Sequence, residues 1–169
     1  MLTIFSVTSA NAASSRANTV SNDEFYMGVG LGSNSASGWD DASGYQIFGG
    51  YNLSVKGWNA QHSVEFGYMD SGDFEYSILG LNPADPFGPP IEYKFKESAE
   101  GLWVTYTVNR PLSDSVNFIA RGGLDFGDDD GLILGLGFEF DFDAAVKLRT
   151  EFVQRDNIDS LQLNIVFEL

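Results

Sequence analysis

The sequence predicts an all-β protein: an eight-stranded antiparallel up-and-down transmembrane β-barrel. Three observations predict it. From Glu24 onward the chain repeats a run of about ten residues that alternates in hydrophobicity and closes on Gly, Asn, Asp or Ser. Eight such runs occur, none with a helical period or an internal proline. Successive side chains of a strand point to opposite faces, and sorting the runs by parity separates an uncharged face from a polar one.

The runs cover 24–33, 44–53, 61–70, 101–109, 115–125, 131–141, 145–155 and 160–169. In the first, Phe25, Met27, Val29 and Leu31 alternate with Gly28, Gly30 and Gly32. That glycine spacing also occurs in nucleotide-binding loops, but no helical pattern follows, so close packing in a barrel lumen is the better account. The second places Tyr45, Ile47, Gly49, Tyr51 and Leu53 opposite Gln46, and the third Val64, Phe66 and Tyr68 opposite Ser63 and Glu65. In the fourth, Leu102, Val104, Tyr106 and Val108 oppose Thr105 and Thr107; in the fifth, Val116, Phe118, Ala120, Gly122 and Leu124 oppose Asn117 and Arg121. The sixth sets Leu132, Leu134, Leu136, Phe138 and Phe140 against Glu139. The seventh sets Val146, Leu148, Thr150 and Phe152 against Lys147, Arg149 and Glu151, and the eighth Leu161, Leu163, Ile165, Phe167 and Leu169 against Gln162 and Asn164.

Parity alone does not say which face is inside; composition does. A soluble barrel carries many Lys and Glu on its outer face, whereas this polar face reads as Gly, Thr, Ser, Asn and Gln with few charges, the content of a narrow lumen. Those charges balance: Glu65, Glu139 and Glu151 against Arg121, Lys147 and Arg149, in a chain with 24 acidic and 9 basic residues and a net charge of −15. Buried charges persist only when paired and hydrogen-bonded, and equal numbers are what pairing needs. The apolar face therefore meets lipid. The six charged residues form the candidate site, a lumenal network in which Arg121 is expected to face Glu65 and Glu139.

Connections alternate in length, as in bacterial outer-membrane barrels with both termini on the periplasmic side. Segments 54–60, 110–114 and 142–144 read as inner turns; 33–43, 71–100, 126–130 and 156–159 read as outer loops. Segment 71–100 holds Pro83, Pro86, Pro89 and Pro90 and reads as a loop or hairpin extension outside the wall. Ahead of the barrel, a short apolar run ends in Ala10-Asn11-Ala12, a signal-peptidase pattern with cleavage expected before Ala13. Because no basic residue precedes that run, residues 1–12 are read as the remnant of a longer signal peptide. Residues 13–23 are read as a polar leader, and 24–169 as the single barrel domain.

Composition excludes several classes. The acidic balance excludes nucleic acid, whose binding needs clustered Lys and Arg. Zero cysteines exclude disulfides and thiolate chemistry, and one histidine leaves little room for a His-built metal site. No cofactor is expected. Asp125-Phe-Gly-Asp-Asp-Asp could offer oxygens to Ca²⁺ but lacks EF-hand spacing, and reads as a solvated outer loop. His62, Ser63 and Glu65 are the residue types of a hydrolase triad, but neighbours in a strand cannot meet on one face, so no enzyme is expected.

Four segments carry a resemblance: Glu24-Phe-Tyr-Met-Gly-Val-Gly-Leu-Gly, Gly44-Tyr-Gln-Ile-Phe-Gly-Gly-Tyr-Asn-Leu, Ser63-Val-Glu-Phe-Gly-Tyr-Met-Asp-Ser-Gly and Leu148-Arg-Thr-Glu-Phe. They resemble strands of the eight-stranded outer-membrane barrels of the OmpA transmembrane-domain and opacity-type porin family, over Glu24 to Leu169. The resemblance implies a barrel closed by a lumenal ion-pair network, to which Glu65, Arg121, Glu139, Arg149 and Glu151 map. It implies outer-membrane lipid, lipopolysaccharide and the barrel-assembly machinery as partners. Two departures stand out: no peptidoglycan-binding domain follows the last strand, and Leu169 stands where the family usually ends in an aromatic. Three functional readings remain open: a non-catalytic barrel whose acidic loops contact the envelope or an unknown surface ligand; a small pore; and an outer-membrane lipid hydrolase or soluble ligand carrier.

Overall fold

The structure, a computed structural model, describes residues 25–169 apart from 85, 86 and 144. The expected signal-peptide remnant, the leader and Glu24 lie outside the described residues. Ten strands follow in chain order: β1 (Phe25–Ala36), β2 (Ala42–Gly57), β3 (Ala60–Asp70), β4 (Phe74–Gly80), β5 (Ile91–Glu97), β6 (Glu100–Pro111), β7 (Val116–Gly127), β8 (Gly131–Asp141), β9 (Val146–Gln154) and β10 (Ile158–Glu168). Eight close a barrel in the order β1, β10, β9, β8, β7, β6, β3, β2. Closure is made by β1 against β10, from Tyr26 opposite Glu168 to Ala36 opposite Ile158, so that wall has no free edge.

The parity reading holds along the wall. Leu31, Phe66, Leu134, Leu136 and Leu163 are exposed, whereas Glu65, Glu139, Arg149 and Glu151 are buried. A water-soluble protein would not leave this belt uncovered; a barrel in lipid requires it. Aromatic residues gather at both rims: Phe25 packs on Tyr51 at 4.9 Å between centroids at the inner end, and Tyr45 on Tyr68 at 6.4 Å at the outer end.

Two expectations are corrected. β2 runs on to Gly57, so segment 54–60 shrinks to a two-residue turn at Trp58 and Asn59. Both have positive φ, 53° and 51°, the pairing that matches the strand twist of a tight hairpin. Of the two forms expected for the long third connection, the structure has the hairpin extension: β4 pairs with β5 from Phe74 opposite Glu97 to Gly80 opposite Ile91, standing outside the wall. Its base packs on the barrel mouth through Phe74, Ala42 and Ile158.

The second correction concerns the lumen, expected to be small and polar. It also holds an apolar cluster that includes Tyr26, Phe48, Met69, Trp103, Ile133, Val153 and Val166. Wall glycines make the room: Trp103 lies opposite Gly67, Phe48 opposite Gly28 and Tyr26 opposite Gly50. A Cβ on Gly67 would sit 2.5 Å from the Trp103 ring and 2.7 Å from the Ile47 carbonyl oxygen, and the backbone oxygen cannot step aside. Gly67→Ala is therefore expected to cost about 1–3 kcal/mol, the usual penalty of overpacking, read from urea unfolding in phospholipid bilayers.

Candidate functional site: the lumenal ion-pair network

Inward positions of β3, β7, β8 and β9 bring the six candidate residues into one cluster. Arg149 is its hub. Its Nη1 donates to Glu65 Oε1 at 2.6 Å, while Nε and Nη2 both donate to Glu139 Oε2 at 3.0 and 2.9 Å. Glu139 lies directly opposite Arg149 in the β8–β9 ladder, whereas Glu65 reaches in from β3 across the lumen. Charge-assisted bonds of this length are the strong ones.

Arg121 is the second cation. Its Nε lies 3.2 Å from Glu151 Oε1 and its Nη1 3.6 Å from Glu65 Oε2, with Nη2 donating to Gln162 at 2.9 Å. The expected contact with Glu65 is present. The carboxylate nearest to Arg121 is Glu151 rather than Glu139, which is occupied by Arg149 and by Lys147 at 3.5 Å. Lys147 sits at the inner end and bonds Glu168 at 2.6 Å.

Neutral groups complete the shell. Tyr26 Oη donates to Glu65 Oε1 at 2.7 Å, Asn109 Nδ2 to Glu139 Oε1 at 2.8 Å and Asn164 Nδ2 to Glu151 Oε2 at 3.3 Å. Each guanidinium also lies over aromatic faces: Arg121 5.0 Å from the Trp103 ring, Arg149 5.5 Å from Phe48 and 5.9 Å from Tyr26. In a low-dielectric interior such contacts offset part of the cost of dehydrating the cation.

Sequence reasoning missed a second buried pair. Asp125, read as part of an acidic loop, is on β7 and accepts from Arg155 Nε at 2.8 Å. Arg155 Nη1 donates to Ser160, whose hydroxyl bonds Asn34 at 2.6 Å, forming a polar layer below the outer mouth. Two of the other loop acids are engaged too: Asp129 accepts from the Asn157 backbone and side chain, and Asp128 from the Glu100 backbone. Among the described residues no group of three or more metal-ligating side chains is arranged to hold an ion.

The hydrolase residues part as alternation requires. Ser63 is buried in the lumen, 2.9 Å from Tyr26 Oη. His62 bonds Tyr106, a wall residue of the opposite face, at 2.8 Å and lies 3.3 Å from the Gly57 carbonyl oxygen.

Comparison with known proteins agrees with this architecture. The family described as outer membrane protein beta-barrel domain matches residues 2–165. No curated protein matches the chain. Among solved structures, a de novo designed transmembrane β-barrel superposes with a TM-score of 0.56 at 14% identity, over 87% of this chain and 96% of that chain. Neisserial surface protein A gives 0.48 at 10% identity, over 86% and 97%. Ail, the attachment invasion locus protein of Yersinia pestis, solved with the heparin analogue sucrose octasulfate, gives 0.43 at 10% identity, over 84% and 93%.

Proposed function

We propose, for a chain that belongs to the outer membrane protein β-barrel domain family and resides in the Gram-negative outer membrane, a non-catalytic role: a closed barrel that mounts acidic surface structures. Eight strands leave an interior that side chains can fill. The observation that carries the reading is Arg149 clamped between Glu65 and Glu139, with Arg121 between Glu151 and Glu65, linking four strands across the lumen. Together with the packed rings of Trp103, Phe48 and Tyr26, this network acts as the plug. The short turns face the periplasm, and the β4–β5 hairpin stands outside the cell in contact with the envelope. The lipid wall rests against acyl chains and lipopolysaccharide, and the assembly machinery inserts it.

Conductance tests the reading. Purified protein in planar bilayers is expected to be nearly silent. Steady, long-lived single-channel currents from the unmodified chain would replace the plug with a pore.

A further inference from the structure

The β4–β5 hairpin has two faces. One carries Phe74, Tyr76 and Ile78, with Phe95 opposite Tyr76, Tyr93 opposite Ile78 and Ile91 opposite Gly80. At its base Phe74 is buried and Trp39 packs on Tyr76 at 5.8 Å, but Ile78, Ile91 and Phe95 are uncovered, Phe95 by 48%. Tyr93 folds over Gly80 and bonds the Leu81 carbonyl at 2.9 Å, so the face is preformed.

One edge of this sheet is open as well. The Asp40 backbone N–H donates to the Glu75 carbonyl at 2.9 Å, so Glu75 turns its backbone groups to the side of β4 away from β5. By the alternation of an antiparallel ladder, Ser77 and Leu79 turn theirs to the same side. Strand pairing accounts for β4 only against β5. A short edge with a bare apolar face beside it is a template for an added strand.

Charge decides what that strand is. Among the described residues the four outer connections, 37–41, 71–99, 128–130 and 155–157, carry ten carboxylates against Lys94, Lys96 and Arg155. Arg155 is taken by Asp125, and Lys96 by Glu75 at 2.7 Å and Asp73 at 3.5 Å. The hydrogen bond from Lys96 holds the Glu75 carboxyl below its ordinary range, so that acid stays charged. An anionic lipid surface, a phosphorylated sugar or a second copy of this acidic chain would be repelled.

We propose that the outer edge of β4, from Ser77 to Leu79, captures an extended cationic amphipathic peptide, whose apolar side chains lie on Ile78 and Phe95 and whose Lys or Arg residues meet the acidic crown. The peptide's backbone supplies the ladder bonds, and alternate side chains supply selectivity. The assignment rests on the hairpin being the outward structure of the reading above. Its binding chemistry can be tested apart from that reading, since both sides of a nanodisc are accessible.

The test holds the full barrel in phosphatidylcholine nanodiscs and titrates a short blocked peptide alternating Lys and Val, its Glu and Val counterpart, and a Lys and Val peptide N-methylated along one edge. The Lys and Val peptide is expected to bind at least about tenfold more tightly than either of the others. Ser77→Pro, which removes an outward N–H at a position an edge strand tolerates, is expected to weaken it by a similar factor of about ten. Ile78→Ser combined with Phe95→Ser should do the same, with unchanged gel mobility of the unboiled protein showing an intact barrel. Equal binding to empty nanodiscs, indifference to both variants, or capture of phosphatidylglycerol vesicles in preference to the peptide would each overturn the proposal.

Discussion

Arg149→Ala is expected to lower the unfolding free energy in phospholipid bilayers by about 3–5 kcal/mol, the largest loss from any single lumenal truncation, because breaking a buried pair leaves uncompensated charge behind. Arg149 makes one bond to Glu65 and two to Glu139, so its removal strands both carboxylates, one already buried to 0% and the other to 1% exposure. Lys147 at 3.5 Å and Asn109 at 2.8 Å remain for Glu139, whereas Glu65 keeps Tyr26 and the looser contact with Arg121. Adding Glu65→Gln to Arg149→Ala should therefore recover part of the loss, a coupling visible in a double-mutant cycle. If water enters to solvate the stranded carboxylates, single-channel events should rise above those of the parent. Equal unfolding midpoints and equal conductance for parent and variant would show that the network closes nothing.

Leu136→Arg is expected to cost about 2–4 kcal/mol, the penalty for a guanidinium on the lipid face near the bilayer midplane. Leu136 is the central residue of β8, 58% exposed and flanked in the ladders by Ala120 and Phe152, all on the apolar side. The matched control is Asp130→Arg, which puts the same group on an exposed outer turn and should change stability by no more than a few tenths of a kcal/mol. Asp129 would be a poor control, since its carboxylate is buried and holds the Asn157 backbone. Equal midpoints for Leu136→Arg and Asp130→Arg would contradict the assignment of this face to lipid.

What was legible in the sequence was what a strand's own period encodes. Alternation located all eight wall strands, and charge balance singled out Glu65, Arg121, Glu139, Lys147, Arg149 and Glu151 before any contact was known. Partner choice was not legible, because it depends on closure. Glu139 and Arg149 are ladder neighbours, but Glu65 reaches Arg149 only across a lumen whose width the register sets. The inward aromatics escaped for a related reason. Trp103, Phe48 and Tyr26 fit because a glycine stands directly opposite each, a pairing invisible until strands are aligned. Asp125 was misplaced because a run of acids looks like a loop whether or not its first member is inside. Its partner Arg155 is the last residue of the run 145–155 and shares the parity of Lys147, Arg149 and Glu151, but it stands just past the end of β9 and was not counted with them.

Because the chain has no native cysteine, single cysteines placed one at a time from Leu132 to Phe140 along β8 test both the inside-out wall and the closed lumen in one scan. Each is labelled with a fluorophore where reactive, then exposed to a lipid-soluble quencher and, separately, to a membrane-impermeant thiol reagent. The account predicts that positions 132, 134, 136, 138 and 140 are quenched from lipid, and that 133, 135, 137 and 139 are reached from neither phase. Reaction of those four lumenal positions with the water-soluble reagent, or lipid quenching in the opposite parity, would contradict it.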